Sequence, residues 1–296
     1  MGRSLIFQRL VRFIAKDGKT YFGDAILPSS AKDISQATSA RLISGDVLGD
    51  YTITENVAEI SSLLSPLAAS QTRTVRCLGL NYANHAKEAG MPIPKSPVLF
   101  YKPNTALSGP TDAIPVHAVA QQGTGLDYEG ELVIVIGKEA LNVSQAEAEE
   151  YVLGYAVGND VSHRDWQQKW GGSQWSLGKC YNGWAPWGPA IVTKKGLPGG
   201  SLKGLRISTT VNGHVKQNEL LDDMVFGVAY TVSFLSQGVT LLPGDLIFTG
   251  TPAGVQLGQH PPVWLTDGDE VKVAVDGIGG ICNRMEFIND KNKAHI

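Results

Sequence analysis

Two glutamates stand two residues apart at the entrance of an apolar run, in Asp127-Tyr128-Glu129-Gly130-Glu131-Leu132-Val133-Ile134-Val135-Ile136-Gly137. Residues 132–136 carry no polar side chain, which predicts a strand covered on both faces. In an extended chain Glu129 and Glu131 point to one face. Two carboxylates converging beside a buried strand repel, so either one takes a proton or a cation sits between them. The next apolar run, 151–157, is also followed by acid, at Asp160. Three carboxylates with no cysteine or paired histidine nearby describe an oxygen-only site, suited to Mg²⁺, Mn²⁺ or Ca²⁺ and poorly suited to zinc or copper. The plainer alternative makes them edge acids paired with lysine or arginine.

Three further clusters carry reactive groups. If residues 82–88 are helical, His85 and Glu88 are i and i+3 and share a face. A carboxylate against one ring nitrogen fixes the tautomer and raises the basicity of the other, which suits a general base that deprotonates water. A surface pair at helical spacing would read the same way. Arg164 and Lys179 can hold an anionic substrate beside a metal, the first as a planar fork and the second as a point charge. Alternatively Arg164 pairs with Asp165, and Trp166, Trp170 and Trp175 are core. The run 246–254 enters a Gly250-Thr251-Pro252 turn whose hydroxyls and N–H groups could receive a carboxylate, although such tripeptides are commonly plain turns.

These groups must be positioned by short strands. Glycine (34) and proline (15) are scattered along the 296 residues, the punctuation of many strands and tight turns. The pattern predicts strands near 9–14 and 20–26 around a turn at Asp17-Gly18, a polar stretch through 50, and a helix over 54–67 with Val57, Ile60, Leu63 and Leu64 at helical spacing. Residues 1–70 read as a small β-rich N-terminal domain and 71–296 as the larger catalytic one. Beyond residue 75, apolar runs recur at 98–101, 132–136, 152–157, 190–193, 205–211, 246–249 and 271–275. Two helices interrupt them, one opened by a capping box at Ser144–Glu147 and one over 222–237. The expected class is β-rich α+β with a mixed sheet, not alternating βαβ.

Composition narrows the partners. With 25 basic and 28 acidic residues the net charge is -3, so phosphate backbones and anionic membranes are not generally attracted. Cys77, Cys180 and Cys282 are far apart and odd in number, which argues against a disulfide framework or a thiolate zinc site. No apolar run approaches the roughly 20 residues that span a bilayer. The start, with Arg3, Arg9 and Arg12 and no acid before Asp17, would suit a mitochondrial presequence, but 10–14 followed by 16–19 reads better as a strand and hairpin turn. Asn142-Val143-Ser144 matches a glycosylation sequon without a secretory signal before it and is read as chance. A reduced, soluble, cytoplasmic protein is expected, with a mitochondrial location as the alternative.

The order and spacing of GLNYxxHAxEAG (79–90), SPVLFxKP (96–103), DYExELxxVIG (127–137), GxxxxNDVSxRDxQ (154–167), QWxxGK (174–179) and PGDxIxTGTPAGV (243–255) closely resembles the fumarylacetoacetate hydrolase family over residues 75–288. The length resembles its shorter branch. That resemblance implies a mixed β-sandwich roll in a homodimer, with Glu129, Glu131 and Asp160 as Mg²⁺ or Mn²⁺ ligands and Ca²⁺ able to occupy the site. It implies that His85 and Glu88 activate water, that Lys179 is catalytic, and that Arg164, Gln167 and Thr251 contact a 2-oxo carboxylic acid. The implied reaction is hydrolysis of a C–C bond in an acylpyruvate-type or dioxo acid through a metal-stabilised enolate. Oxaloacetate decarboxylation and isomerisation or tautomerisation of a 2-oxo/2-hydroxy-enoate dicarboxylate use the same electrophilic site. A non-catalytic ligand-binding homologue is the alternative of another class. One departure stands out: where the family often has Phe-Asp after the lysine, this chain has Cys180-Tyr181-Asn182. The missing acid is expected to free Lys179 for a second anionic group.

Overall fold

The strand Gly130–Ile136 is buried at every position, and its alternate residues feed two different cores. Leu132, Ile134 and Ile136 enter one cluster, while Val133 and Val135 enter the other. That is why the run tolerates no polar residue: neither face meets water. A computed structural model describes residues 6–28, 31 and 33–289. Arg3 of the considered presequence lies outside them; Arg9 and Arg12 lie in the strand Arg9–Ala15.

One eleven-stranded sheet runs in spatial order Thr20–Ile26, Ser39–Gly45, Tyr51–Leu64, Arg9–Ala15, Ala185–Val192, Val152–Asn159, Gly130–Ile136, Leu246–Phe248, Val75–Gly79 and Val98–Lys102, with Leu107–Ser108 beside Ala185–Val192. Most pairs are antiparallel; Leu246–Phe248 runs parallel to Val75–Gly79. A five-stranded sheet, His214–Leu220, Arg206–Val211, Glu270–Val275, Gly279–Phe287 and Ile114–Val116, packs over one face. Ile207, Val271, Val273 and Ile281 from it share a core with Leu132, Ile134, Val157 and Val192. The chain is therefore β-rich α+β, two mixed sheets face to face, as the strand-and-turn pattern predicts. Asn212 (φ 50°) and Gly213 (φ 79°) close the hairpin in which Val211 pairs with His214, the two left-handed residues that a two-residue turn of this hand requires. Among the described residues no helix is long and apolar enough to cross a membrane.

Three helical expectations change. Residues 54–67 are not helical: Tyr51–Leu64 is one long strand, paired with Ser39–Gly45 and Arg9–Ala15. The i, i+3 apolar spacing there was ambiguous, and two neighbouring strand edges outweigh a weak local helix preference. The polar stretch before it also hides the strand Ser39–Gly45. Ser144 Oγ does meet Glu147 Oε2 at 2.6 Å, but only a short 3-10 turn follows, Ala148–Tyr151. In 222–237 the α-helix, α2, is confined to Val228–Leu235, because Phe226 is held outside it by its N–H bond to Asn81 Oδ1 at 2.7 Å. Residues 83–88 do form a helix, α1 (Ala83–Glu88).

The parallel pair at the site's edge is tied by Asp245. Its carboxylate lies 2.6 Å from Arg76 Nη1 and accepts from the Thr74 N–H and hydroxyl and from the Leu242 N–H. Both Arg76 and Asp245 are buried. Asp245→Ala should cost about 3–5 kcal/mol, because it strands a buried guanidinium. Urea midpoints would show this, and a loss below about 1 kcal/mol would mean that water or another acceptor serves Arg76.

Candidate active site

Glu129 and Glu131 flank Gly130, where the central strand begins, and Asp160 follows the end of its neighbour Val152–Asn159. Pairing of Glu131 with Gly158 brings the two strand ends together. One oxygen from each of Glu129, Glu131 and Asp160 lies within 4.8 Å of the others, and all three residues are buried. Gly130 must be glycine, since a Cβ there would collide with Thr209 of the covering sheet. The three acids thus converge as their spacing predicts; Glu129 and Asp160 are also paired with lysine and arginine, as the plainer alternative has it, but all three are buried.

Cations crowd around them. Lys179 Nζ hydrogen-bonds Glu129 (2.8 Å), Asp160 (2.7 Å) and the Ser162 hydroxyl (2.7 Å). Arg164 forks onto Asp127 Oδ2 through Nε (2.9 Å) and Nη2 (2.7 Å), and its Nη1 meets Glu129 Oε1 at 2.6 Å and Gln167 Oε1 at 2.9 Å. Lys102 Nζ, fully buried, lies 2.7 Å from Asp160 Oδ1 and donates to the carbonyls of Val161, Lys179 and Trp184. Four buried carboxylates, Asp127, Glu129, Glu131 and Asp160, thus meet three buried cations, Lys102, Arg164 and Lys179. The unmatched charge falls on Glu131. Among the described residues its Oε2 accepts only the Gly250 N–H at 2.8 Å, and its Oε1, though buried, has no hydrogen-bond partner.

The proton affinities follow. Burial, then the nearby Asp160 and Glu129, push the Glu131 carboxyl well above the usual carboxylate range. Burial acts the same way on Glu129, but Lys179 and Arg164 outweigh it and hold that carboxyl far below. Burial would lower the Lys179 ammonium, yet Asp160 and Glu129 raise it, so the lysine stays charged. An all-oxygen donor set, one carboxylate in excess and one orphaned buried oxygen together fit a hard divalent cation.

The dyad lies beside the cluster, with His85 lining a cleft that Glu129 also lines. His85 and Glu88 share a face of α1, with Nδ1 3.5 Å from Glu88 Oε2. Both Glu88 oxygens accept the Gly254 N–H (3.1 and 3.0 Å), and Oε1 also accepts from Gln259 Nε2 (2.9 Å). Burial raises the Glu88 carboxyl, but the nearby His85 ring and the Gly254 N–H prevail and leave it below its ordinary value. His85, Glu129, Arg164, Gln167, Lys179 and Thr251 all line one cleft of about 50 Å³. Thr251 holds its wall: the hydroxyl donates to Gly130 C=O (2.9 Å) and accepts from Gln217 Nε2 (2.7 Å). Gly250, at φ 92°, needs the left-handed region to aim its N–H at Glu131.

The plainer alternative for the Arg164 cluster fails, and so does one expectation about a neighbour. Arg164 does not pair with Asp165, which instead holds Lys169 at 2.7 Å. Trp170 is exposed and Trp166 and Trp175 are only half-buried; the core tryptophans are Trp184 and Trp187. Asn182 does not free Lys179. It is exposed in the turn closed by the Trp184 N–H to Tyr181 C=O, while the lysine's hydrogen bonds go to Glu129, Asp160 and Ser162. Asp127, Lys102 and Ser162 are site residues to which the sequence reading gave no role. A lysine ending the apolar strand Val98–Lys102 was the available signal for one of them.

Fold and cleft define a strand-built protein around a buried oxygen-donor cluster with a histidine–glutamate pair beside it. The family model for the fumarylacetoacetate (FAA) hydrolase C-terminal domain matches residues 74–286. The chain belongs to the fumarylacetoacetate hydrolase family. It is 39% identical over 294 residues to caffeoylpyruvate hydrolase of Neonothopanus nambi, across 96% of this chain and 94% of that one. It is 40% identical over 222 residues to a mitochondrial oxaloacetate tautomerase of Xenopus laevis, across 75% of this chain and 67% of that one. The crystal structure of 2-hydroxyhepta-2,4-diene-1,7-dioate isomerase from Mycobacterium marinum superposes with a TM-score of 0.78 at 34% identity, covering 96% of this chain and all of that one (100%).

Mg²⁺ or Mn²⁺ should raise the melting temperature of EDTA-treated protein by mass action. A carboxyl raised above its unfolded value favours the fold at acid pH and loses that contribution as pH rises through its folded value. Glu131→Gln removes the loss. The metal-free variant should therefore melt about 2–6 °C above wild type near neutral pH, with the gap closing toward acid, and should not respond to the cations. Melting curves indifferent to both cations in the wild type would count against the site.

Proposed function

We propose that this protein is a divalent-cation-dependent enzyme that hydrolyses a carbon–carbon bond in an acylpyruvate-type 2-oxo carboxylic acid. The observation that carries the reading is the dyad: His85 lines the same cleft as Glu129, the outermost acid of the unbalanced cluster, with Glu88 held behind it by the Gly254 N–H. Likeness over nearly the whole chain to a caffeoylpyruvate hydrolase supports it. A cation bound by Glu129, Glu131 and Asp160 would supply Lewis-acid polarisation of the substrate carbonyl.

The chain's own groups do the rest. Arg164, held by Asp127 and Glu129, and Gln167 orient the substrate carboxylate, and Thr251, its hydroxyl committed to Gly130, contributes its backbone N–H. His85 takes a proton from water through Nε2, because Glu88 faces Nδ1. Water then attacks the carbonyl distal to the carboxylate. As the bond breaks, the developing negative charge is neutralised by Lys179, whose ammonium is already desolvated. Loss of CO₂ from oxaloacetate, or a proton shift between carbon and oxygen, needs the same charge stabilisation but no attacking water. The tautomerase and isomerase relatives keep that second reading in view. A homodimer in the cytoplasm completes the proposal, and light scattering would test the assembly.

His85→Ala should reduce acylpyruvate hydrolysis by about 10²–10⁴-fold while leaving Mn²⁺ affinity unchanged by calorimetry, and any oxaloacetate turnover should survive better. Equal loss of both activities would move His85 from the water to the substrate. Lys179→Met should lower kcat far more than it raises KM, since its charge serves the transition state; a KM effect alone would make it a binding residue.

A further inference from the structure

The substrate's far end meets a different surface from its carboxylate end. At the inner end of the cleft every charged side chain is already partnered: Glu129 with Lys179 and Arg164, and Lys179 also with Asp160. The outer walls are Leu80, Ala89, Met91, Trp175 and Leu257, with the amide of Gln168. Among the described residues no lysine or arginine other than Arg164 and Lys179 lines the cleft. Leu80 adopts φ 53°, a left-handed conformation that costs a branched side chain energy and that glycine or asparagine would take more easily. The strain persists with an apolar side chain in the wall of the cleft. Trp175 packs against Gly79, where any side chain would collide with its ring, and meets Phe100 edge-on at 5.8 Å.

Building on the proposed function, we propose that the cleft selects 2-oxo acids whose distal substituent is uncharged and apolar, of aromatic size, and discriminates against a second carboxylate. Met91 is 46% exposed and Trp175 half-buried, so both can give way to admit the tail into a cleft that holds about one or two waters. A distal carboxylate placed there would lose water and gain no cation, whereas a flat apolar tail would exchange water for Trp175 and Leu257.

Two oxamates with the same oxalyl head but different tails isolate this choice, and neither contains the bond to be hydrolysed. In calorimetry with Mg²⁺, N-phenyloxamate should bind at least about tenfold tighter than N-oxalylglycine, and Met91→Lys should bring the ratio to about one or reverse it. Equal or tighter binding of N-oxalylglycine to the wild type, or a ratio untouched by Met91→Lys, overturns the tail selectivity. If oxalate itself binds in those cases, the 2-oxo acid reading stands without it. If neither oxamate nor oxalate binds, both fall together.

Discussion

Four carboxylates share one buried site with three cations, and the negative charge left over must reside somewhere. Most of the local architecture follows from that imbalance. Lys102 is walled in by three carbonyls and Asp160, Arg164 is spent on Asp127 and Glu129, and Lys179 bridges Glu129 and Asp160. None of the three hydrogen-bonds Glu131. A folded domain does not leave an ionised carboxylate alone in its interior; it protonates it or recruits a cation. The two strands that carry these acids are covered on both faces, so the charge cannot reach solvent by a small rotation.

Much of this was legible in the chain, for a physical reason. A doubly buried strand excludes polar residues so strictly that two glutamates at its mouth advertise themselves, and the period of two puts them on one face. His85 and Glu88 were legible because a short helix fixes their relation locally. The partners of Arg164 were not: Asp165 is next to it in sequence, but the guanidinium reaches back to Asp127, brought near by the bridge that pairs Ser162 with Asp127. Asn182 misled for the same reason, since three residues along the chain is not proximity when a turn faces outward. The run 54–67 was the hardest. Its apolar spacing suited a helix, and only sheet neighbours from 9–15 and 39–45 decide otherwise.

The glycines at the site act as clearances for other groups. Gly130 lets the covering sheet approach, Gly250 turns its N–H inward onto Glu131, and Gly79 gives Trp175 its seat. The site is therefore shaped by missing side chains as well as by reactive ones, and this part of the geometry depends on backbone approach between distant segments.

Glu88 is fastened to the loop after the Gly250-Thr251-Pro252 turn, through Gly254 and Gln259, and the carboxylate cluster is fastened to the strands. The same loop also donates the Gln256 and Leu257 N–H groups to Asp127, the carboxylate onto which Arg164 forks. One short stretch of backbone thus sets both the Glu88 carboxylate and the Arg164 guanidinium. A substitution in the loop at 254–259 would reach both together, so these two parts of the cleft are bound to vary in concert.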